Sequence, residues 1–171
     1  MWRRRPWLLG ALCLFIGAAA GPTLAQSSEA ALLKVVLADG RAREFTRAEL
    51  ERLPVESAQA RLRDGAPFSI GGVSVTALLR ASGLDLAANL GGGQVVGHAL
   101  VARAADGYRA VFGLAEVDPH FGHPPLMVNW VNADGTALPA RVGPLQLITT
   151  GESRPGRWVR QLISLEVKAL P

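Results

Sequence analysis

The sequence has 171 residues, of which 49% are hydrophobic and 19% charged, a balance typical of a globular domain that can bury a core. Its 18 Lys and Arg exceed its 14 Asp and Glu, but three of the arginines lie in a segment that we expect to be removed, which leaves 15 cations against 14 anions. A net charge near +1 gives no electrostatic support for nucleic-acid binding, so we expect no nucleic-acid partner.

Residues 1–25 have the parts of a secretory signal peptide. Arginines at positions 3–5 form the basic start, an apolar run follows over 8–20, and the segment 23–25 ends in a small residue. The apolar run is shorter than the roughly 20 residues of a membrane span, so we expect cleavage and no span afterwards. The paired arginines fit an ordinary basic start or twin-arginine export. We therefore expect a periplasmic or secreted protein with a single domain over 26–171.

The single cysteine of the sequence, Cys13, lies inside this expected signal segment. The mature protein would then contain no thiol. This excludes a disulfide, a cysteine nucleophile and a thiolate–metal bond.

Local signals predict a hairpin and a short helix at the start of the mature chain. An Asp-Gly pair at 39–40 predicts a turn between strands over 32–37 and 41–45. Thr46 and Glu49 stand three residues apart and form a capping box for the helix that follows, up to Leu53.

Short strands, turns and helices continue along the rest of the chain. In order, they are a loop or edge strand over 55–67, a helix over 77–80 capped by Ser74 or Thr76, a loop over 84–93, strands over 95–104 and 108–112, a helical turn over 114–117, strands over 126–131 and 144–149, a loop over 151–156, an undecided segment over 158–162 and a strand over 163–167. Short helices between hairpins favour an α+β fold with mixed sheets over a parallel βαβ array.

A candidate metal site lies in a proline-bounded loop. Asp118, His120 and His123 form the pattern D-x-H-x-x-H, and carboxylate and imidazole groups are ligands of zinc and similar metals. The alternative is a solvated loop whose histidines bind neighbouring carbonyl groups, and the isolated motif favours this alternative.

A candidate anion site lies in the glycine-bounded loop 151–157. Ser153, Arg154 and Arg157 offer a hydroxyl and two guanidinium groups, which suit a phosphate, although an exposed turn explains the same residues. Two further candidates are His98, a possible cofactor contact that is more typical of a half-buried structural histidine, and Tyr108, whose hydroxyl can point into a pocket.

Several of these stretches occur in an order that is characteristic of one family. They are F-T-x-x-E-L at 45–50, L-P at 53–54, G-V-x-x-x-x-L-L at 72–79, D-G-Y at 106–108, D-G at 134–135, G-P-L at 143–145 and R-W at 157–158. Taken together, over nearly the whole mature chain, they resemble the sulfite-oxidase-like molybdopterin-binding domain.

The resemblance implies a mixed α+β fold with a pocket for molybdopterin, a pterin dithiolene that carries molybdenum and ends in a phosphate. It implies that Ser153, Arg154 and Arg157 hold the pterin phosphate and that Tyr108 lies towards the substrate. The sequence departs from the family at the metal ligand: the usual cysteine falls between the L-P and G-V stretches, and residues 55–71 contain none.

Two functions remain open. The first is an exported molybdopterin-dependent oxidoreductase-like domain that works with a periplasmic redox partner. The second is a metal-free module on the same fold that binds a ligand or a partner such as a sensor protein. The missing thiol supports the second and puts molybdenum in doubt even if the pterin is bound.

Overall fold

The computed structural model describes residues 29–62, 65–89, 92–152 and 154–171, so the expected signal segment with Cys13 lies outside the described residues. The strands are β1 (Leu33–Val36), β2 (Ala42–Phe45), β3 (Glu56–Arg61), β4 (Pro67–Ser74), β5 (His98–Ala104), β6 (Arg109–Gly113), β7 (Leu126–Asn129), β8 (Gln146–Thr149) and β9 (Leu162–Ala169). The helices are α1 (Arg47–Glu51), α2 (Val75–Ala81), α3 (Leu86–Asn89) and α4 (Gly92–Val96), with 3₁₀ turns at Leu114–Glu116, Pro119–Phe121 and Pro155–Arg157. The predicted α+β class is confirmed.

Over the described residues the strands form two sheets. The first has the order β2-β1-β9-β5-β6, and the second has the order β3-β4-β7-β8. Strands β1 and β9 are parallel, whereas every other neighbouring pair is antiparallel. Strand β9 thus occupies the centre of the five-stranded sheet.

The second sheet is packed on both faces, which explains why β7 and β8 are buried along their whole length. Val128 and Leu147 belong to the main core, which also contains the apolar side chains of α2 and the first sheet. Met127 and Ile148 point to the opposite face, because successive side chains of a strand alternate, and form a second cluster there.

The predicted helix starts are confirmed in the structure. The Glu49 N–H donates to Thr46 Oγ1 at 3.3 Å, and the Thr46 N–H donates to Glu49 Oε2 at 2.9 Å, which completes the capping box. Of the two proposed caps of α2, Ser74 accepts from the Ala77 N–H, whereas the Thr76 hydroxyl donates to the Val117 carbonyl.

Between α2 and β5 the structure corrects the prediction. The glycine-rich segment 84–93 was predicted as a loop, but it contains α3 and the start of α4. Burial of Leu86 and Val95 in the main core stabilises these short helices against their poor local propensity. The strand predicted from residue 95 begins at His98, so this histidine lies at the start of β5 instead of in its middle.

Within the segment 55–67, for which a loop or an edge strand was predicted, Glu56–Arg61 form the edge strand β3. No helix among the described residues is long and apolar enough to cross a membrane.

Candidate functional site

A cavity of about 590 Å³ lies against the second face of the four-stranded sheet. Its floor includes Ile70 of β4, Asn129 of β7 and Gln146 of β8. Its walls come from the β5–β6 turn, the connection between β7 and β8, and the segment 155–160. A cavity of this size suits a small organic molecule. We call it the main cavity.

One wall of the main cavity is aromatic. The rings of Phe68 and Trp158 meet edge to face, with centroids 6.3 Å apart, and both residues line the cavity beside Ile148. The indole N–H of Trp158 donates to the Thr149 carbonyl at 3.3 Å, which fixes the ring. This wall offers an apolar surface to a ligand.

The floor of the main cavity carries a pair of buried amides. Asn129 and Gln146 are direct cross-strand partners, and they are 3% and 8% exposed. Asn129 Nδ2 donates to the Val131 carbonyl at 2.9 Å, but its Oδ1 accepts no hydrogen bond from the described residues. A buried acceptor without a donor is costly, so Asn129 has an unmet need for an N–H or O–H group.

Two arginines line the main cavity. Arg141 and Arg160 are exposed, which places them at its mouth, and neither forms an ion pair within the described part of the chain. Asp106 is the only carboxylate among the described residues that line this cavity.

Tyr108 also lines the main cavity, as its position after the Asp-Gly turn allowed. Its hydroxyl donates a short hydrogen bond to the Gly156 carbonyl, and its backbone N–H donates to Asp106 Oδ1 at 2.9 Å. Gly107 has a φ of 89°, which the turn requires and which L-residues rarely adopt. The tyrosine therefore joins the β5–β6 turn to the segment at 155–157.

In the loop predicted to bind phosphate, Arg157 is engaged by carboxylates and Arg154 is exposed to solvent. Arg157 Nη2 lies 3.0 Å from Glu116 Oε2, its Nε donates to Glu152 at 2.7 Å, and its guanidinium stacks on the Phe112 ring. Arg154 is exposed and has no ion pair among the described residues, and neither arginine lines the main cavity. Ser153, the third predicted phosphate ligand, lies outside the described residues.

The ion pairs of Arg157 shift the acid–base equilibria of this cluster. Burial acts to raise the pKa of Glu116, but the hydrogen bonds from Arg157 and from the Gly113 N–H outweigh it and hold this pKa below its usual range. Burial likewise opposes the charge of Arg157, and the two carboxylates outweigh it and raise the pKa of the guanidinium.

The same cluster lines a smaller cavity of about 110 Å³. Glu116, Glu152, Arg157 and His123 contribute to its wall together with Thr149. The Thr149 hydroxyl is buried and has no hydrogen-bond partner among the described residues.

The structure brings two of the three predicted metal ligands together and places the third elsewhere. Asp118 is buried, and its Oδ1 accepts from the backbone N–H of His120 at 3.0 Å and from Nδ1 of the same ring at 2.8 Å. The bond from the His120 backbone outweighs burial and lowers the pKa of Asp118. His123 lines the small cavity instead, and within the described ranges no three His, Cys, Asp or Glu side chains gather as a metal-binding group.

His98 is not among the residues that line the main cavity. Its Nδ1 lies 2.6 Å from the Gln94 carbonyl, which links α4 to the first residue of β5. A donated Nδ1–H accounts for this half-buried histidine as a structural residue.

Sequence reasoning missed the four polar residues that best define the main cavity. These are Asn129, Arg141, Gln146 and Arg160. A signal existed for the amides, because Asn129 ends the strand L-M-V-N and Gln146 begins the strand Q-L-I-T, each next to apolar residues. The arginines carry no local signal, since they lie in irregular segments that meet only in the folded chain.

Comparison with known proteins identifies the fold. No family model matches the sequence, and no curated protein matches it either. Among solved structures, the sulfane dehydrogenase SoxCD from Paracoccus pantotrophus superposes with a TM-score of 0.57 and 18% sequence identity. The match covers 80% of this chain and 37% of that chain, so this chain spans little more than a third of the dehydrogenase chain. The protein therefore shares the fold of one part of a sulfane dehydrogenase.

Proposed function

We propose that the protein is a metal-free binding module on an oxidoreductase-like fold and that it holds a small polar organic ligand in the main cavity. The observation that carries this proposal is the unpartnered Oδ1 of Asn129, a buried acceptor on the floor of a 590 Å³ cavity. A ligand with a suitably placed donor would satisfy it, and the aromatic wall would cover the apolar part of the same ligand.

The residues present do not fit a molybdenum centre of the family's kind. A soft thiolate ligand is missing from the segment 55–71, because the single cysteine of the sequence is Cys13. The described lining of the main cavity contains no histidine, and its one carboxylate, Asp106, already accepts the Tyr108 N–H. We therefore derive no redox step through a metal.

The organic part of molybdopterin is compatible with the main cavity. A pterin ring carries N–H groups that could donate to Asn129, and its phosphate would meet arginines at the mouth. The implied phosphate loop is a poorer fit, because Arg157 would have to leave Glu116 and Glu152 to bind a phosphate.

The second candidate is an exported molybdopterin-dependent oxidoreductase-like domain. The shared fold with a sulfane dehydrogenase favours it, as does the resemblance to the sulfite-oxidase-like domain. In this case Ser153, Arg154 and Arg157 would hold the pterin, and Tyr108 would face the substrate. Both candidates act in the periplasm or outside the cell after loss of residues 1–25, with a redox partner for the second and a sensor-type partner for the first.

One purification separates the two candidates. The full-length gene is expressed in its native host, and protein from the periplasmic fraction is examined by elemental analysis for molybdenum, by pterin fluorescence after oxidative release and by intact-mass measurement. We expect an N-terminus near Gln26 and no stoichiometric molybdenum. Stoichiometric molybdenum would overturn the metal-free module, pterin without metal would identify its ligand, and an intact Met1 would contradict cleavage of residues 1–25.

A further inference from the structure

We propose that the ligand of the main cavity carries an oxyanion, such as a carboxylate, phosphate or sulfonate, and that Arg141 and Arg160 bind it. This inference rests on the proposed binding function and names the chemical class of its ligand. It places the anion site at the mouth of the main cavity and not in the loop 151–157.

Hydrogen bonds hold the two arginine-bearing segments together. Gln161, the residue after Arg160, donates its backbone N–H to the Val142 carbonyl at 2.7 Å. Its side-chain Nε2 donates to the Ala140 carbonyl at 3.1 Å. The two acceptors flank Arg141 on either side, so the neighbour of one arginine is fastened to both neighbours of the other.

The backbone at this junction is strained. Gln161 has a φ of 48°, in the left-handed region that costs a residue with a Cβ about 1 kcal/mol or more. Its backbone carbonyl also accepts the Ala105 N–H at 3.0 Å, next to Asp106 at the cavity wall. Three tertiary hydrogen bonds thus keep Gln161 in an unfavourable conformation that joins the two arginines.

The charge of this pair is not neutralised within the described chain. Six other arginines form ion pairs with carboxylates: Arg41, Arg43, Arg47, Arg80, Arg103 and Arg157. Arg141 and Arg160 form none, and they face a lining whose single described carboxylate, Asp106, is engaged in its own turn. Two cations against one anion at a concave surface attract an anionic ligand.

The unpartnered Oδ1 of Asn129 sets a second, independent requirement on the chemistry of the ligand. An oxyanion offers only acceptors, so it cannot satisfy this buried acceptor, and the ligand must also carry an N–H or O–H donor. The Phe68–Trp158 wall favours an apolar or aromatic body between the two polar groups. The expected ligand is a small organic acid with a hydrogen-bond donor.

Two fluorescent probes that differ in one charged group test this inference. The first is 8-anilinonaphthalene-1-sulfonate, and the second is N-phenyl-1-naphthylamine, which has the same rings and N–H but no sulfonate. We expect the sulfonate to bind one site about tenfold more tightly at low salt, because charge-assisted hydrogen bonds to arginine are the strong ones. Inorganic phosphate should displace the sulfonate and leave the neutral probe bound.

The decisive variant is the double substitution R141A/R160A. It should weaken binding of the sulfonate at least about tenfold and leave the neutral probe unchanged. The matched control is R52A/R109A, which removes the same charge from exposed arginines that do not line the main cavity. Circular dichroism melts establish that both variants are folded.

The outcomes separate the inference from the proposed function. If both probes bind the wild-type protein equally and R141A/R160A binds them as the wild type does, the arginine site is wrong and the binding module stands. If R52A/R109A loses the sulfonate as strongly as R141A/R160A, the effect reflects net charge and the site is also wrong. If neither probe binds the wild-type protein, both the binding module and its anion site are overturned.

Discussion

At the scale of single residues, two adjacent threonines at the end of strand β8 differ in their hydrogen bonding. Thr149 is 3% exposed, and its hydroxyl has no partner among the described residues, whereas the Thr150 hydroxyl donates to the Pro125 carbonyl at 2.7 Å. Burying a hydroxyl without a hydrogen-bond partner destabilises the fold. Removing a hydroxyl that forms a hydrogen bond also destabilises it, because the stabilisation from that bond is lost.

We therefore predict opposite effects of the same substitution at these two sites. Thr149→Val should raise the free energy of unfolding by about 1 kcal/mol, and Thr150→Val should lower it by about 1 kcal/mol. Urea denaturation of the three proteins measures both changes. A destabilised Thr149→Val would mean that its hydroxyl has a partner, such as a bound water in the small cavity.

The Glu116–Arg157 pair makes stability depend on pH. The pKa of Glu116 in the folded protein is lower than its ordinary value of 4.5, so the ionised form stabilises the fold. This contribution is complete above pH 4.5 and is lost as the pH falls through the lowered pKa of the folded state.

We predict that Glu116→Gln is less stable than the wild-type protein at neutral pH and that the difference vanishes in acid. The matched control is Glu44→Gln, because Glu44 is exposed and forms no ion pair in the described ranges. Thermal melts of both variants across the acidic range test this. A difference for Glu116→Gln that stays constant with pH would contradict the ionised pair.

At the scale of elements, strand β4 approaches β7 unusually closely at one glycine. A Cβ on Gly72 would lie 2.4 Å from the Val128 carbonyl oxygen, a backbone atom that cannot move aside, whereas a Cβ on Gly71 would meet nothing within 4 Å. The G-V of the sequence motif therefore serves sheet pairing, and a side chain at its first position would separate the two strands.

Gly72→Ala should destabilise the protein by roughly 2 kcal/mol or more, in line with overpacking of a closely packed site. Gly71 is the adjacent residue on the same strand. Gly71→Ala should leave the stability of the protein unchanged or raise it slightly, since alanine loses less backbone entropy on folding than glycine. Chemical denaturation measures the free energy of unfolding of both variants. Equal effects of the two substitutions would show that the close approach of β4 to β7 does not require Gly72.

Elements with local signals could be predicted from the sequence, and those fixed by packing could not. The capping box at Thr46 and the hairpin turn at 39–40 depend on residues within a few positions of one another. Helices α3 and α4 depend instead on the burial of Leu86 and Val95 in a core built from distant segments. A glycine-rich stretch gives no sign of such burial, which is why a loop was predicted there.

The residues of the candidate site divide in the same way, into those with a local signal in the sequence and those whose surroundings come from distant parts of the chain. The predicted Tyr108 does line the main cavity, where its hydroxyl donates to the Gly156 carbonyl. Arg157 was predicted as a phosphate ligand from its loop alone, and its partners Glu116 and Phe112 come from another part of the chain. Whether this arginine holds a phosphate stays a prediction.

At the scale of the whole molecule, the four-stranded sheet connects the core to the main cavity. One face of β7 and β8 packs into the main core, and the other carries Asn129 and Gln146 at the cavity floor. A ligand that binds these amides would therefore stabilise strands on which the core depends. Packing on both faces of the sheet also explains why β7 and β8 are mainly apolar in sequence, with Asn129 at the end of one strand and Gln146 at the start of the other.

The central place of β9 has a consequence for the way this chain is made. Strand β9 covers residues 162–169 and stands between β1 and β5, so the five-stranded sheet has a gap at its middle until that segment has left the ribosome. The parallel pair of β1 and β9 joins segments from the two ends of the described chain, so this sheet is completed only after residue 169 has been synthesised, which favours slow folding.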